Sequence, residues 1–270
     1  MAYERSPAYK PGQAAAYKVS RSKIDLFRQC PRCFWLDARL KIKRPSSPPF
    51  RINSMIDELF KREFDIHRVG QTVHPLCETY GLKLVPFKHE RMDEWRDALR
   101  RGVRFLHEPT NLLVTGGIDD IWVDLDTDEL VVVDYKATAK NGEISLDADW
   151  QIAYKRQIEV YQWLLRQNGF KVKNTGYFVY TNGQLDADGF KDTLKFKTKI
   201  IDYEGDDKWV EPALMKMKDC LEGDMPPVGT AAMGGRCEHC TYSEARSALT
   251  LEYMDENNIN PKDALQKLKR

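Results

Sequence analysis

The chain has no excess of charge of either sign: 42 Lys and Arg stand against 41 Asp and Glu, a formal net charge of +1. Such a balance sets up no global field to draw in nucleic acid or a membrane surface, so any basic surface is local. Local clusters do occur, at Arg39, Lys41, Lys43 and Arg44, at Arg100, Arg101 and Arg104, and at Lys195, Lys197 and Lys199. Solvated faces of ordinary elements account for each of them taken alone. No uninterrupted apolar run approaches the ~20 residues that cross a bilayer, and no basic segment followed by an apolar one opens the sequence. These two absences predict a cytoplasmic protein with no membrane partner. Internal repeats and low-complexity tracts are missing. So is the G-x-x-x-x-G-K-[ST] loop of a helicase motor, so any unwinding must come from elsewhere.

What is present suffices for a folded core. The 270 residues are 42% hydrophobic and 31% charged, enough for one large domain or two small ones. Six cysteines in a reducing compartment are poor candidates for a disulfide framework, which leaves metal binding as the leading use for any that are paired.

Periodicity places the elements. The first twenty residues, with Pro7, Pro11 and Gly12, predict a loose arm (1–19). A helix capped at Ser20 or Ser22 should run to about Leu40, a second from about Ile52 to His67, and a third from about His89 to Leu106. After Thr110 the period becomes that of strands. "LLVTGGIDDIWVDL" and "ELVVVDYKAT" flank the short link "DTD" and predict an antiparallel hairpin. A helix over about Asp149–Gln167 follows, then two strands in "TGYFVYTNG" and "LKFKTKIIDY", and a helix in "DKWVEPALMKMKDCLEG". This order predicts an α/β fold, a mixed central sheet flanked by helices.

Asp134 and Lys136 interrupt a valine-rich strand two residues apart and so project to one face. Buried charge needs a partner or a metal. An internal salt bridge would satisfy a lone D-x-K. The preceding strand adds Asp119 and Asp120, with Gly116 and Gly117 leaving room for a close approach of backbone or ligand. Two carboxylates on adjacent strands beside a lysine suit metal-assisted attack on a phosphodiester. The acids hold Mg²⁺ (or Mn²⁺), and the lysine orients water or neutralises developing charge.

Gly116–Asp119 as G-x-I-D and Asp134–Lys136 as D-Y-K resemble the core signature of the PD-(D/E)XK nuclease superfamily. Downstream, "QIEVY" supplies Gln157 and Tyr161 in the Q-x-x-x-Y arrangement of the RecB-like branch, on one helical face with Tyr154. The resemblance implies a restriction-endonuclease-like fold over residues 20–246, with a catalytic core over about 110–205. It implies a metal-dependent DNA nuclease in repair, recombination or defence, acting on single-stranded or end-containing DNA, with a helicase or other repair protein as partner. Asp119 and Asp134 would be metal ligands, Lys136 the catalytic cation, and Gln157 and Tyr161 would position the strand. The family's first motif, G-x-x-x-H, departs here to "NSMID". Asp57 is then the candidate third ligand and Glu58 the next. That departure leaves open a noncatalytic nucleic-acid-binding or assembly subunit.

Cys30 and Cys33 in "CPRC" and Cys237 and Cys240 in "CEHC" form two C-x-x-C pairs, which together complete an S₄ metal site. Zn²⁺ and an iron–sulfur cluster both accept four thiolates. "SKIDLFRQCPRCFWL" resembles the N-terminal segment of RecB-like nucleases with a 4Fe–4S cluster, such as the AddB nuclease domain and CRISPR-associated relatives, which implies the cluster, with zinc as the alternative. Those relatives place one cysteine at the N-terminus and three near the C-terminus, whereas Arg246 stands here at the last place and Cys33 supplies the fourth thiol. Cys77 and Cys220 lack partners and are expected in the core. A helical tail is expected over 247–270.

Overall fold

The computed structural model describes residues 7–46, 50–185, 188–229 and 235–263. The elements in chain order are β1 (Tyr17–Ser20), α1 (Arg21–Gln29), α2 (Pro31–Leu40), α3 (Arg51–Gly70), α4 (Pro75–Thr79), β2 (Leu84–Pro86), α5 (Met92–Arg96), β3 (Val103–His107), β4 (Leu112–Gly116), β5 (Asp120–Asp124), β6 (Leu130–Thr138), α6 (Ile152–Gln167), β7 (Thr175–Gly183), β8 (Phe196–Glu204), α7 (Val210–Glu222) and α8 (Glu238–Glu256). They build two mixed sheets, one of three strands ordered β1-β4-β3 and one of five ordered β2-β5-β6-β7-β8. The mixed α/β class expected from the sequence is observed.

In the larger sheet only β6 and β7 run parallel, and α6 makes the crossover between them. Along β6 the side chains alternate. Leu130 and Val132 pack with Ile158 and Leu164 of α6, whereas Val131, Val133 and Tyr135 pack with Phe64 of α3 and Trp122 of β5. Both faces of β6 are therefore covered, which explains its near-continuous run of valine.

Three expectations need correction. The single helix to Leu40 is two, α1 and α2, because Cys30 leaves helical geometry (φ −152°, ψ 103°) and Pro31, with no N–H to give, starts the next helix. The helix expected over His89–Leu106 stops at Arg96. Val103–His107 instead pairs antiparallel with β4, and Gly102, at φ +76°, turns the chain between α5 and this strand. Long-range pairing overrides local helical period at this point. Finally, "LLVTGGIDDIWVDL" is two strands in different sheets, and only its second half, β5, forms the expected hairpin with β6.

The N-terminal segment is not loose over the described residues. Tyr9 and Tyr17 are buried edge to face, and β1 lies parallel to β4. The Tyr9 hydroxyl donates to Glu222, the Gly12 N–H donates to the other oxygen of that carboxylate at 2.9 Å, and Lys218 pairs with it at 2.7 Å. Hydrogen bonds from Lys218 and Tyr9 hold the Glu222 carboxyl down at about 2. An ordinary glutamate titrates near ~4.3, so this contribution is complete above that pH and is lost as pH falls through about 2. We expect hydrogen exchange of residues 7–16, taken relative to the intrinsic rate at each pH, to be unchanged between pH 7 and 5 and to accelerate below ~4. Glu222→Gln should accelerate it already at pH 7.

Of the tail expected over 247–270, residues up to Glu256 continue α8, and 264–270 lie outside the described residues. None of the described helices is long and apolar enough to cross a membrane.

Candidate metal and catalytic site

The hairpin register sets Asp120 opposite Val133, so Asp119, one residue before β5, stands across from Asp134. The Tyr135 N–H donates to Asp119 Oδ2 at 3.1 Å, which fixes that side chain over the strand. Asp134 is fully buried, and Lys136 reaches back along the same face to form an ion pair with it. Burial pushes the Asp134 carboxyl up to about 7, with Lys136 opposing and Asp119 adding to the rise. The Lys136 ammonium also lies 4.8 Å from the ring centroid of Tyr154.

α3 brings in Asp57. Burial raises its pKa and the charge of Asp119 raises it further, while Lys61, one turn along at 2.6 Å, opposes both. Glu58, beside it, is exposed. Asp57 Oδ1 and Asp134 Oδ2 are buried with no hydrogen-bond partner, although Lys136 neutralises the second. Unpartnered carboxylate oxygens among mutually repelling acids are what a hard divalent cation would relieve, so the donor set fits Mg²⁺ or Mn²⁺.

Gln157 and Tyr161 sit behind the acids on α6, both buried. The Gln157 amide donates to Asp134 Oδ1 at 2.7 Å and to the Tyr161 hydroxyl at 3.3 Å, and Arg21 of α1 donates to its oxygen at 3.0 Å. The chain Arg21–Gln157–Asp134 orients the buried carboxylate from the rear. Arg21 and Lys61 escaped the sequence reading because nothing in their local surroundings marks them; only tertiary closure brings them in.

Asp120, adjacent to Asp119, has a different fate. It points to the α3 face, where it pairs with Arg68, meets Arg96 at 3.1 Å and accepts from the Tyr135 hydroxyl at 2.6 Å. This is a buried structural network. The two glycines do not leave room for a ligand: a Cβ on Gly116 would lie 2.6 Å from the Tyr161 ring, and one on Gly117 would lie 2.3 Å from Ala98 Cβ. Gly116 therefore lets Tyr161 approach the sheet. Gly116→Ala should destabilise the fold by about 1–3 kcal/mol through overpacking. A urea titration would check this.

The four cysteines converge. Cys30, Cys33, Cys237 and Cys240 are all buried, with sulfurs within 4.8 Å of one another, and they join the N- and C-terminal segments. The sulfurs lie 3.7 Å apart for Cys30–Cys240, 3.7 Å for Cys33–Cys237 and 3.4 Å for Cys33–Cys240. Burial pushes the Cys30 thiol up, but N–H groups of Cys33 and Gly229 outweigh it and bring it down to about 7. Arg44 donates to Cys237 Sγ at 3.4 Å. Burial instead raises the Cys33 and Cys240 thiols, so Cys30 is the sulfur held ready as thiolate, the form that binds metal. Cys77 is buried away from the group, and Cys220 is half-buried near Pro31.

No curated protein matches the chain. Among solved structures, one titled "Crystal structure of SSO0001" is similar, 15% identical over 77% of this chain and 77% of that chain, with a TM-score of 0.30. Among protein families, residues 18–245 match the model of the PD-(D/E)XK nuclease superfamily.

Proposed function

The chain belongs to the PD-(D/E)XK nuclease superfamily, and we propose that it is a Mg²⁺-dependent DNA nuclease of the RecB-like type. The observation that carries this reading is the meeting of Asp119, Asp134 and Lys136 on one face of the β5–β6 hairpin, with Asp57 brought against them. Asp57, Asp119 and Asp134 would hold the metal, which supplies Lewis-acid polarisation of the phosphoryl group and a more acidic water. Lys136 neutralises the charge that develops on the phosphoryl oxygens. Gln157, braced by Arg21, keeps Asp134 in one orientation, and Tyr161 buttresses Gln157. The Q-x-x-x-Y pair thus acts on the strand through the carboxylate it positions.

Nuclease unit 20–246 would act on single-stranded or end-containing DNA in repair, recombination or defence, with a helicase or other repair protein opening duplex where needed. For the cysteine clasp, the resemblance to cluster-bearing RecB-like enzymes supports 4Fe–4S. The sulfur separations support a single tetrahedral ion, since four Zn–S bonds of ~2.3 Å place the sulfurs ~3.8 Å apart, whereas in a cluster each thiolate binds a different iron. We take the single ion as the occupant that the geometry favours.

A second reading, a noncatalytic nucleic-acid-binding or assembly subunit, draws on Lys61, whose ion pair with Asp57 competes with a cation at the altered first motif. One assay separates the two: labelled single- and double-stranded DNA, with and without Mg²⁺. Cleavage that needs Mg²⁺ is expected; DNA bound but uncut at every Mg²⁺ concentration would establish the second reading. In the same series, Asp119→Asn keeps an acceptor for the Tyr135 N–H but removes a charge. It should weaken Mg²⁺ binding by about tenfold or more in calorimetry and leave DNA affinity unaltered. Unaltered Mg²⁺ affinity would remove Asp119 from the ligand set.

A further inference from the structure

Next to the acids lies a groove that the hydrolytic chemistry does not use. It has a volume of about 490 Å³, within the range of small-molecule sites. One wall is the start of α3, with Phe50, Arg51 and Asn53; the other is the end of the β7–β8 hairpin, with Leu185, Lys195 and Phe196, and the floor is Ala137 and Thr138 of β6 with Ala139 after them. Phe50 is 75% exposed and Phe196 39% exposed, as are the apolar side chains of Ile52, Leu185 and Leu194 around them. A contiguous exposed apolar surface of this kind marks a binding site.

We propose that this groove is a subsite for an unstacked base of a single-stranded nucleic acid, the nucleotide next to the one being cut. The proposal rests on the nuclease reading and adds a specific recognition element to it. Two observations choose the occupant. First, the groove adjoins the catalytic site along one wall and the floor, since α3 and β6 carry residues of both. Asn53 lies one turn before Asp57 on α3, Ala137 directly follows Lys136 on β6, and the Asn53 amide donates to the Ala137 carbonyl at 3.1 Å, clamping the two elements together. One helical turn is ~5.4 Å and one strand residue ~3.3 Å, so the groove begins within a nucleotide of the acids. Second, the charge is right for a polyanion: Arg51 and Lys195 flank the aromatic rings, and no acid lines the groove among the described residues. Apolar and aromatic walls between cations describe a stacking platform for single strands. Bases of an intact duplex keep their faces covered by their neighbours and cannot enter.

The test is binding without divalent metal, so that no strand is cut, with the full chain and two labelled probes of equal length, oligothymidylate and an abasic strand. Wild-type protein should bind oligothymidylate about tenfold tighter than the abasic strand. Phe50→Ala, and separately Phe196→Ala, should abolish that preference and leave abasic affinity unchanged, whereas Arg51→Ala should weaken both probes equally. Phe50 is so exposed that its truncation should not unfold the protein, and a thermal melt confirms this for each variant. Equal binding of the two probes by wild-type protein overturns the proposal, as does a preference that survives both Phe variants. A dimer in sedimentation that Phe50→Ala dissolves would assign the groove to a second copy of the chain and overturn it too. None of these outcomes depends on cleavage, so failure of the nuclease reading is seen separately, in the Mg²⁺ assay.

Discussion

Lys136→Ala should abolish Mg²⁺-dependent cleavage, by about 10³-fold or more, and leave the fold standing. The expected loss is large because Lys136 is the cation in contact with the acids on the face where the phosphoryl group would lie, and charge stabilisation in a buried site is worth far more than in water. Tolerance of the fold follows from Asp134. Its carboxyl already titrates near about 7 because of burial, with Lys136 holding it lower than burial alone would. Without the lysine the carboxyl takes up a proton at neutral pH and loses its charge, so no unpaired carboxylate remains in the core. The reverse truncation is less clean, since Asp134→Ala strands a largely buried ammonium and the Gln157 amide together. Asp134→Asn keeps the acceptor for Gln157 and should be equally inactive with a smaller stability cost. Single-turnover cleavage and a thermal melt, run on both variants, measure the two effects. A Lys136→Ala protein that cuts at the wild-type rate would sink the catalytic assignment.

The largest expected effect on stability is at the cysteines. Replacing Cys33 or Cys240 by Ser exchanges a soft thiolate for a poor hydroxyl ligand at a site where all four sulfurs are buried. Metal should be released, and the melting temperature should fall by roughly 10 °C or more, since metal affinity at a site absent from the unfolded chain is folding free energy. Cys77→Ala should release no metal and cost only its packing, about 1 kcal/mol. Elemental analysis and an absorption spectrum identify the occupant. One zinc per chain without colour is expected from the sulfur spacing; iron with sulfide and a broad band near ~400 nm would replace the single ion by a cluster and keep the clasp. A protein with neither metal, whose serine variants melt as wild type does, would leave the convergence of the four cysteines without a metal role.

The parts of this structure that the sequence reveals are those fixed by short-range pattern. The β5–β6 hairpin, α6, β7 and β8 fall where period and turn residues put them, and strand alternation alone predicts that Asp134 and Lys136 share a face. Strand alternation also separates Asp119 from Asp120, but only the observed pairing decides which of them meets Asp134. What stayed hidden depends on distant partners. Val103–His107 has helical spacing before it and becomes a strand only because β4 offers an edge. The break at Gly116–Gly117 is set by Tyr161 and Ala98 pressing against those glycines. Arg21 and Lys61 look like ordinary surface charges until α1 and α3 are packed, and the place of Phe50 on the wall of a groove is legible only once the β7–β8 hairpin is in place.

The position of the clasp along the chain also decides how the molecule carries mechanical load. Cys30–Cys33 and Cys237–Cys240 close a loop that contains the five-stranded sheet, β3, β4, α3 and α6, with β1 outside it. When a shared ion closes that loop, tension on residues before Cys30 and after Cys240 runs from one end to the other through metal–sulfur bonds. The β5–β6 hairpin itself lies within the closed loop. A pull on α8 would thus load the clasp before the hairpin, whereas a pull on the N-terminal segment would also reach Asp134, through β1 on β4 and through Arg21 on Gln157.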